Sequence, residues 1–195
     1  MTVRPFDPLI DLDGLWTVEL ARRYLPIEGM PPTRYEADNG RLRMSPREGS
    51  ATSWAATHLA FVLHEPALAA GHAVYLAMNV RTDINSWIEP ELMILHEGVQ
   101  QQHWIEGGQV LCPIEIRSSS SYNRDRIDKP AMCAQLGMPY YLYVEIRTDE
   151  AEVELLRLGS DGRYSTHVRA QSGELFETAE PFAMSFDPAE LLESY

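Results

Sequence analysis

Hydrophobic residues recur at helical spacing in three segments of the chain. Residues 16–25 and 51–64 each gather their apolar side chains on one face, which is typical of an amphipathic helix. We expect Pro66 and Gly71 to end the second of these helices. A third helix is predicted over residues 129–136.

Other segments have the two-residue period or the β-rich apolar composition of strands. Two hairpins are predicted, one at residues 35–44 around Asn39-Gly40 and one at residues 152–169 around Ser160-Asp161-Gly162. Single strands are predicted over residues 74–81, 88–95, 110–117 and 140–147. Together these elements indicate an α/β or α+β fold with a mixed β-sheet flanked by helices.

The length of 195 residues predicts a single domain over residues 1–195. Hydrophobic residues make up 45% of the chain and charged residues 23%, which excludes disordered, collagen-like and coiled-coil classes. The net charge of −13 disfavours a protein that coats nucleic acid or an anionic membrane through its overall field. A local basic cleft is still compatible with this charge.

Three features favour a cytoplasmic location. Cys112 and Cys133 form no C-x-x-C motif or disulfide framework, which suits a reducing compartment. The first residues lack the uninterrupted apolar stretch of a signal peptide. The most apolar region, residues 58–78, is interrupted by charged and helix-breaking residues, so no contact with a membrane is expected.

Common catalytic motifs are absent, and what remains is a set of carboxylates on predicted strands. The sequence has no phosphate-binding G-x-x-x-x-G-K-[ST], no dinucleotide G-x-G-x-x-G after a strand and no H-E-x-x-H. Glu91 lies beside an apolar run, and Glu115 stands between Ile114 and Ile116. A buried carboxylate is usually paired or binds a metal, so Glu115 is either such a group or a strand residue on a solvated face.

A polar segment follows Glu115 and leads into the predicted third helix. It runs from Ser118 to Lys129 and contains Arg124, Asp125 and Arg126. Arginine clusters and helix N-termini attract phosphate, which is the functional interpretation of this segment. A solvated loop is the alternative.

Four motifs in this order resemble the Uma2 family of bacterial proteins, also called DUF820. That family is described as restriction-endonuclease-like and belongs to the PD-(D/E)XK nuclease fold. The resemblance runs from about Leu15 to Phe186. The motifs are Arg34-Tyr35-Glu36-Ala37-Asp38-Asn39-Gly40-Arg41-Leu42, Pro90-Glu91-Leu92, Glu115-Ile116-Arg117-Ser118-Ser119-Ser120-Ser121, and Asp125-x-x-x-Lys129 followed by Met138-Pro139-Tyr140-Tyr141.

The resemblance implies a restriction endonuclease-like core with a metal site. Glu91 and Glu115 would be ligands of Mg²⁺ or Mn²⁺, and Glu36 would be a third acidic catalytic residue. Lys129 would stabilise charge on the phosphate or orient the attacking water. Lys129 is the only lysine beside fifteen arginines, and it falls where the family pattern has a lysine.

The function that the resemblance implies is a metal-dependent endonuclease that hydrolyses DNA phosphodiester bonds. Arg117, Arg124 and Arg126 would contact phosphate, and Asp125 is a further candidate for the catalytic group. Nucleases that cut both strands often dimerise, so a homodimer is kept as an expectation.

The alternative is a catalytically degenerate nuclease-fold protein that acts as a binding or regulatory module. The net charge and three departures from the family pattern favour it: Glu91 replaces the usual Asp, Arg117 replaces an apolar residue, and Pro130 follows Lys129. A third interpretation, a generic α/β domain, requires four ordered matches to be accidental.

Overall fold

The computed structural model describes residues 4–117 and 127–193. In these ranges the α-helices are α1 (Pro8–Asp11), α2 (Val18–Tyr24), α3 (Ser50–Ala69) and α4 (Lys129–Gln135). Short 3-10 helices span Gly107–Gln109 and Pro188–Leu191. The strands are β1 (Thr33–Asp38), β2 (Arg41–Pro46), β3 (Ala73–Leu76), β4 (Asn79–Asp83), β5 (Ser86–Ile88), β6 (Leu92–Leu95), β7 (Trp104–Glu106), β8 (Val110–Arg117), β9 (Tyr140–Ile146), β10 (Ala151–Leu158), β11 (Tyr164–Gln171), β12 (Phe176–Thr178) and β13 (Met184–Phe186).

The strands form two large mixed sheets and a small hairpin. The larger sheet has six strands in the order β11-β10-β9-β8-β6-β3, and β8 and β9 pair in parallel. The smaller sheet has five strands in the order β2-β1-β5-β4-β7, and β4 and β7 pair in parallel. Strands β12 and β13 form the separate hairpin. The predicted α/β class with a mixed sheet is confirmed.

The six-stranded sheet is covered on both faces. On one face, Leu59 and Leu63 of α3 belong to the same hydrophobic cluster as Ile114 and Val144 of the sheet. The cluster on the other face is formed by residues of the sheet, of α4 and of the five-stranded sheet: Met93, Tyr141, Tyr143, Cys133, Val80 and Ile88. A side chain that points from this face therefore lies between the two sheets.

Most predicted elements are confirmed within a few residues of their bounds. In the first hairpin, Asn39 and Gly40 have φ angles of 48° and 77°, as a tight turn of this type requires. The prediction that Pro66 ends the long helix is wrong, because α3 continues to Ala69. A proline removes only one intrahelical donor, and Leu63 and Ala67 are fully buried in the core on either side of it.

Two predicted strands are each divided between the two sheets. The segment 74–81 is interrupted at Ala77, which has a φ of 45°, so β3 joins the six-stranded sheet and β4 the five-stranded sheet. The segment 88–95 is interrupted at residues 89–91, between β5 and β6. The Ala77 amide donates to the Glu91 carbonyl at 3.0 Å, so the two crossings lie side by side. In the described part of the chain no helix has the length and apolar character to cross a membrane.

Candidate active site

Four residues predicted from the sequence meet where the two sheets join. Glu36 lies on β1 of the five-stranded sheet, and Glu115 lies on β8 of the six-stranded sheet. Glu91 lies on the crossing between β5 and β6, and Lys129 is the first residue of α4. Their exposed fractions are between 3% and 7%, so the group is buried.

Lys129 is held by two of these carboxylates. Its Nζ atom lies 2.7 Å from Oε1 of Glu115 and 3.2 Å from Oε1 of Glu36. Pro130, which follows Lys129, occupies the first turn of α4, where a missing backbone donor is tolerated. Pro130 departs from the family pattern, but Lys129 still points toward Glu115.

Glu91 receives donors on both carboxylate oxygens. Oε1 accepts a hydrogen bond from Nη1 of Arg34, and Oε2 accepts one from the backbone amide of Ile116 at 3.1 Å. Ile116 follows Glu115 on β8, so the two expected metal ligands lie beside each other.

Arg34 and Glu89 belong to the same network, although the sequence analysis did not select them. Nη2 of Arg34 donates to the Glu89 carbonyl at 2.5 Å, and the Glu89 amide donates to Oε1 of Glu36 at 2.9 Å. Arg47 extends the network outward through a 3.0 Å ion pair with the Glu89 carboxylate. The two-residue period of β1 could have identified Arg34, because it places Arg34 and Glu36 on the same face of the strand.

Burial and neighbouring charges act differently on the carboxyl groups of Glu91 and Glu115. Burial raises the pKa of Glu115 well above its ordinary value, against the opposing charge of Lys129, and the charges of Glu91 and Glu36 raise it further. Burial also raises the pKa of Glu91, but Arg34, the hydrogen bond from Glu115 and Lys129 outweigh it, so the net pKa is lowered.

Of the arginines predicted to contact phosphate, Arg117 lies within the described residues. Arg117 is buried beside the site on β8, and its Nη1 donates to the Tyr143 hydroxyl at 3.2 Å. Arg124, Asp125 and Arg126 lie outside the described residues.

The donor chemistry of this group suits a divalent cation. No group of three or more His, Cys, Asp or Glu side chains within residues 4–117 and 127–193 forms a metal site by itself. Mg²⁺, however, is usually bound through one or two carboxylates, with waters and substrate phosphates completing its shell. Glu36, Glu89, Glu91 and Glu115 are all buried, and Arg34, Arg47 and Lys129 form ion pairs with them. The carboxylate oxygens of Glu91 and Glu115 are hard ligands of the kind that Mg²⁺ and Mn²⁺ prefer.

A pocket of about 350 Å³ leads to Glu91 from the surface. Arg34, Arg47 and Glu48 line it together with Thr52 and Ser53 of the first turn of α3. Glu91 thus lies at a pocket wall, although most of its surface is covered.

Comparisons with known proteins agree with this architecture. A family model described as "Uma2: Putative restriction endonuclease" matches residues 21–189. The structure is similar to a crystal structure described as "a putative nuclease belonging to DUF820" from Anabaena variabilis ATCC 29413, with a TM-score of 0.62. The two chains are 13% identical, and the match covers 87% of this chain and 95% of that one. Comparison with curated proteins gives no match.

Proposed function

The chain belongs to the Uma2 family, and from this premise we propose that it is a metal-dependent endonuclease that hydrolyses DNA phosphodiester bonds. One observation carries the proposal. Glu91 and Glu115, from separate parts of the chain, are buried beside each other, since Glu91 accepts a hydrogen bond from the Ile116 amide, and the only lysine of the chain binds Glu115. Because DNA is the proposed substrate, we also propose that the protein is located in the cytoplasm.

Glu91 and Glu115 would hold Mg²⁺ or Mn²⁺ through their carboxylate oxygens. When bound, the ion would polarise the phosphodiester and lower the pKa of an attacking water. The amide of Ile116 fixes one oxygen of Glu91, so the carboxylate is oriented before any ligand arrives.

Lys129 would supply a positive charge to the phosphate as negative charge develops on it. Glu36 would hold Lys129 in place, since its carboxylate lies 3.2 Å from Nζ. We retain phosphate contact as the proposed role of Arg117, Arg124 and Arg126.

A second function is favoured by the contacts of Arg34. The Arg34 guanidinium binds Glu91 directly, and Lys129 binds Glu115, so a cation already faces each expected metal ligand. In this alternative the protein keeps the nuclease fold and binds its partner without cleavage.

Cleavage of supercoiled plasmid DNA distinguishes the two functions. We expect the wild type to nick the plasmid in the presence of Mn²⁺ or Mg²⁺ and to be inactive in EDTA. Glu115→Gln should lower the rate by about 100-fold or more, because it removes a ligand charge while keeping the shape of the side chain.

Glu152→Gln is the matched control. Glu152 is also buried, but it pairs with Arg169 at 2.6 Å across β10 and β11. Equal cleavage by the wild type and Glu115→Gln would contradict the proposal, and an inactive wild type that binds DNA would support the alternative.

A further inference from the structure

A second pocket, of about 560 Å³, lies between α2 and the five-stranded sheet. This volume is within the range of about 300–1,000 Å³ that is typical of small-molecule sites. Arg47 lines both this pocket and the one that leads to Glu91. The two pockets are therefore neighbours, and a ligand that occupies both would pass Arg47.

Aromatic rings form one wall of the second pocket. Trp104 and Trp87 meet edge to face, with ring centroids 5.6 Å apart and an interplanar angle of 75°. The indole nitrogen of Trp87 donates to the Tyr35 carbonyl at 2.7 Å, which fixes the buried ring. Trp104 is only partly buried and lines the pocket, so part of its ring is available to a ligand that moves the Arg22 guanidinium from above it.

The rim of the pocket combines guanidinium groups with hydrogen-bonding side chains. The Arg22 guanidinium lies 5.8 Å from the centre of the Trp104 ring, and both Arg22 and Arg47 are exposed. The pocket's carboxylate, Glu89, is already paired with Arg34 and Arg47. Asn79 and His103 add groups that can both donate and accept hydrogen bonds.

These features match the parts of a nucleotide. A base is planar and stacks on aromatic rings, its edges donate and accept hydrogen bonds, and its phosphate is bound by arginine. A paired base is enclosed within the duplex stack, so only an unpaired nucleotide can enter a pocket of this size.

We propose that the pocket between α2 and the five-stranded sheet binds an unpaired nucleotide of the DNA substrate. The base stacks against Trp104, and the adjoining phosphate faces Arg22 and Arg47. The inference rests on the proposed function for the identity of the ligand. It adds that the enzyme prefers single-stranded or locally opened DNA, whose strand continues past Arg47 toward Glu91.

Fluorescence anisotropy with a labelled twelve-nucleotide oligo(dT) tests this pocket. EDTA is present throughout, so binding is measured without cleavage. Trp104→Leu should weaken binding by about tenfold, because stacking of a base on an aromatic side chain is lost. Arg22→Gln, at an exposed position, should also weaken it, whereas Trp54→Leu on α3 should leave it unchanged.

A blunt duplex of dT and dA should bind more weakly than the single strand. Wild-type binding that is undetectable, equal affinity of Trp104→Leu and the wild type, or equal affinity for single strand and duplex would each overturn the inference. The binding assay and the cleavage assay fail independently. If binding depends on Trp104 but the protein does not cleave DNA, the nucleotide pocket is supported and the proposed nuclease activity is overturned. If Trp104→Leu binds normally and still cleaves DNA with metal, the nuclease activity is supported and the nucleotide pocket is overturned.

Discussion

The carboxyl groups of Glu91 and Glu115 lie beside each other, yet their surroundings move their pKa values in opposite directions. Glu115 is the more buried residue, and its raised pKa reflects the cost of ionising a carboxyl group away from water. Lys129 opposes this effect from 2.7 Å. The charge of Lys129 therefore matters to the fold as well as to the proposed chemistry, because without it an ionised Glu115 would lie beside Glu91 and Glu36 with less compensation.

Lys129→Met should lower the free energy of unfolding by about 3 kcal/mol at pH 8, the usual scale for breaking a buried ion pair. The double variant Lys129→Met/Glu115→Gln should lose less than the sum of the two single variants, by about 1–2 kcal/mol, because the uncompensated carboxylate is gone. Urea denaturation of the four proteins measures this coupling. Additive losses would show that the ion pair contributes nothing specific.

At the scale of elements, the site depends on two chain crossings between the sheets. The segments that contain a local signal were predicted well from the sequence, such as the Asn39-Gly40 hairpin and the strand that contains Glu115. The crossings at Ala77 and at residues 89–91 were not predicted. The alternating pattern continues through Ala77, so only pairing with two different sheets separates β3 from β4, and that pairing is a long-range property. Between β5 and β6 a local signal was present, because Pro90 lacks the backbone donor that the interior of a strand needs.

The side chains of the site were also harder to predict where their contacts are long-range. Glu36, Glu91, Glu115 and Lys129 could be selected through the family resemblance, and the structure brings all four together. Arg34 was missed because a charged strand residue is normally solvated, although the period of β1 places it on the same face as Glu36. Its contact with Glu91 is long-range and has no local signal.

The left-handed backbone conformation of Ala77 can be tested by substitution at this crossing. Ala77 is exposed and has a φ of 45°, so changes there act on the backbone more than on packing. Ala77→Val should lower the free energy of unfolding by about 1–2 kcal/mol, because a β-branched residue is disfavoured in this region. Ala77→Gly should change it by less than about 0.5 kcal/mol, since relief in the folded state is offset by greater freedom in the unfolded chain. Guanidinium denaturation compares the two, and an equal effect of Val and Gly would exclude backbone strain at this crossing.

At the scale of the whole molecule, the net charge of −13 opposes binding to DNA, so recognition has to be local. The structure offers two adjoining pockets that share Arg47, one leading to buried carboxylates and one lined by aromatic rings and arginine. A bound divalent cation and an inserted base would both act at short range, where the overall field matters least. At the junction of the two sheets, the fold thus positions the residues of the proposed chemistry, and the ion pairs of those residues stabilise the fold.

The most direct test of the metal site is thermal unfolding with and without Mn²⁺ for the wild type, Glu115→Gln and the control Glu152→Gln. A ligand at 100 times its Kd adds about 2.7 kcal/mol to the native state, which corresponds to a midpoint shift of about 5–10 °C for a chain of this size. We predict this shift in the wild type and in Glu152→Gln, and its loss in Glu115→Gln. Equal shifts in all three proteins, or no shift in the wild type, would contradict a cation site at Glu91 and Glu115.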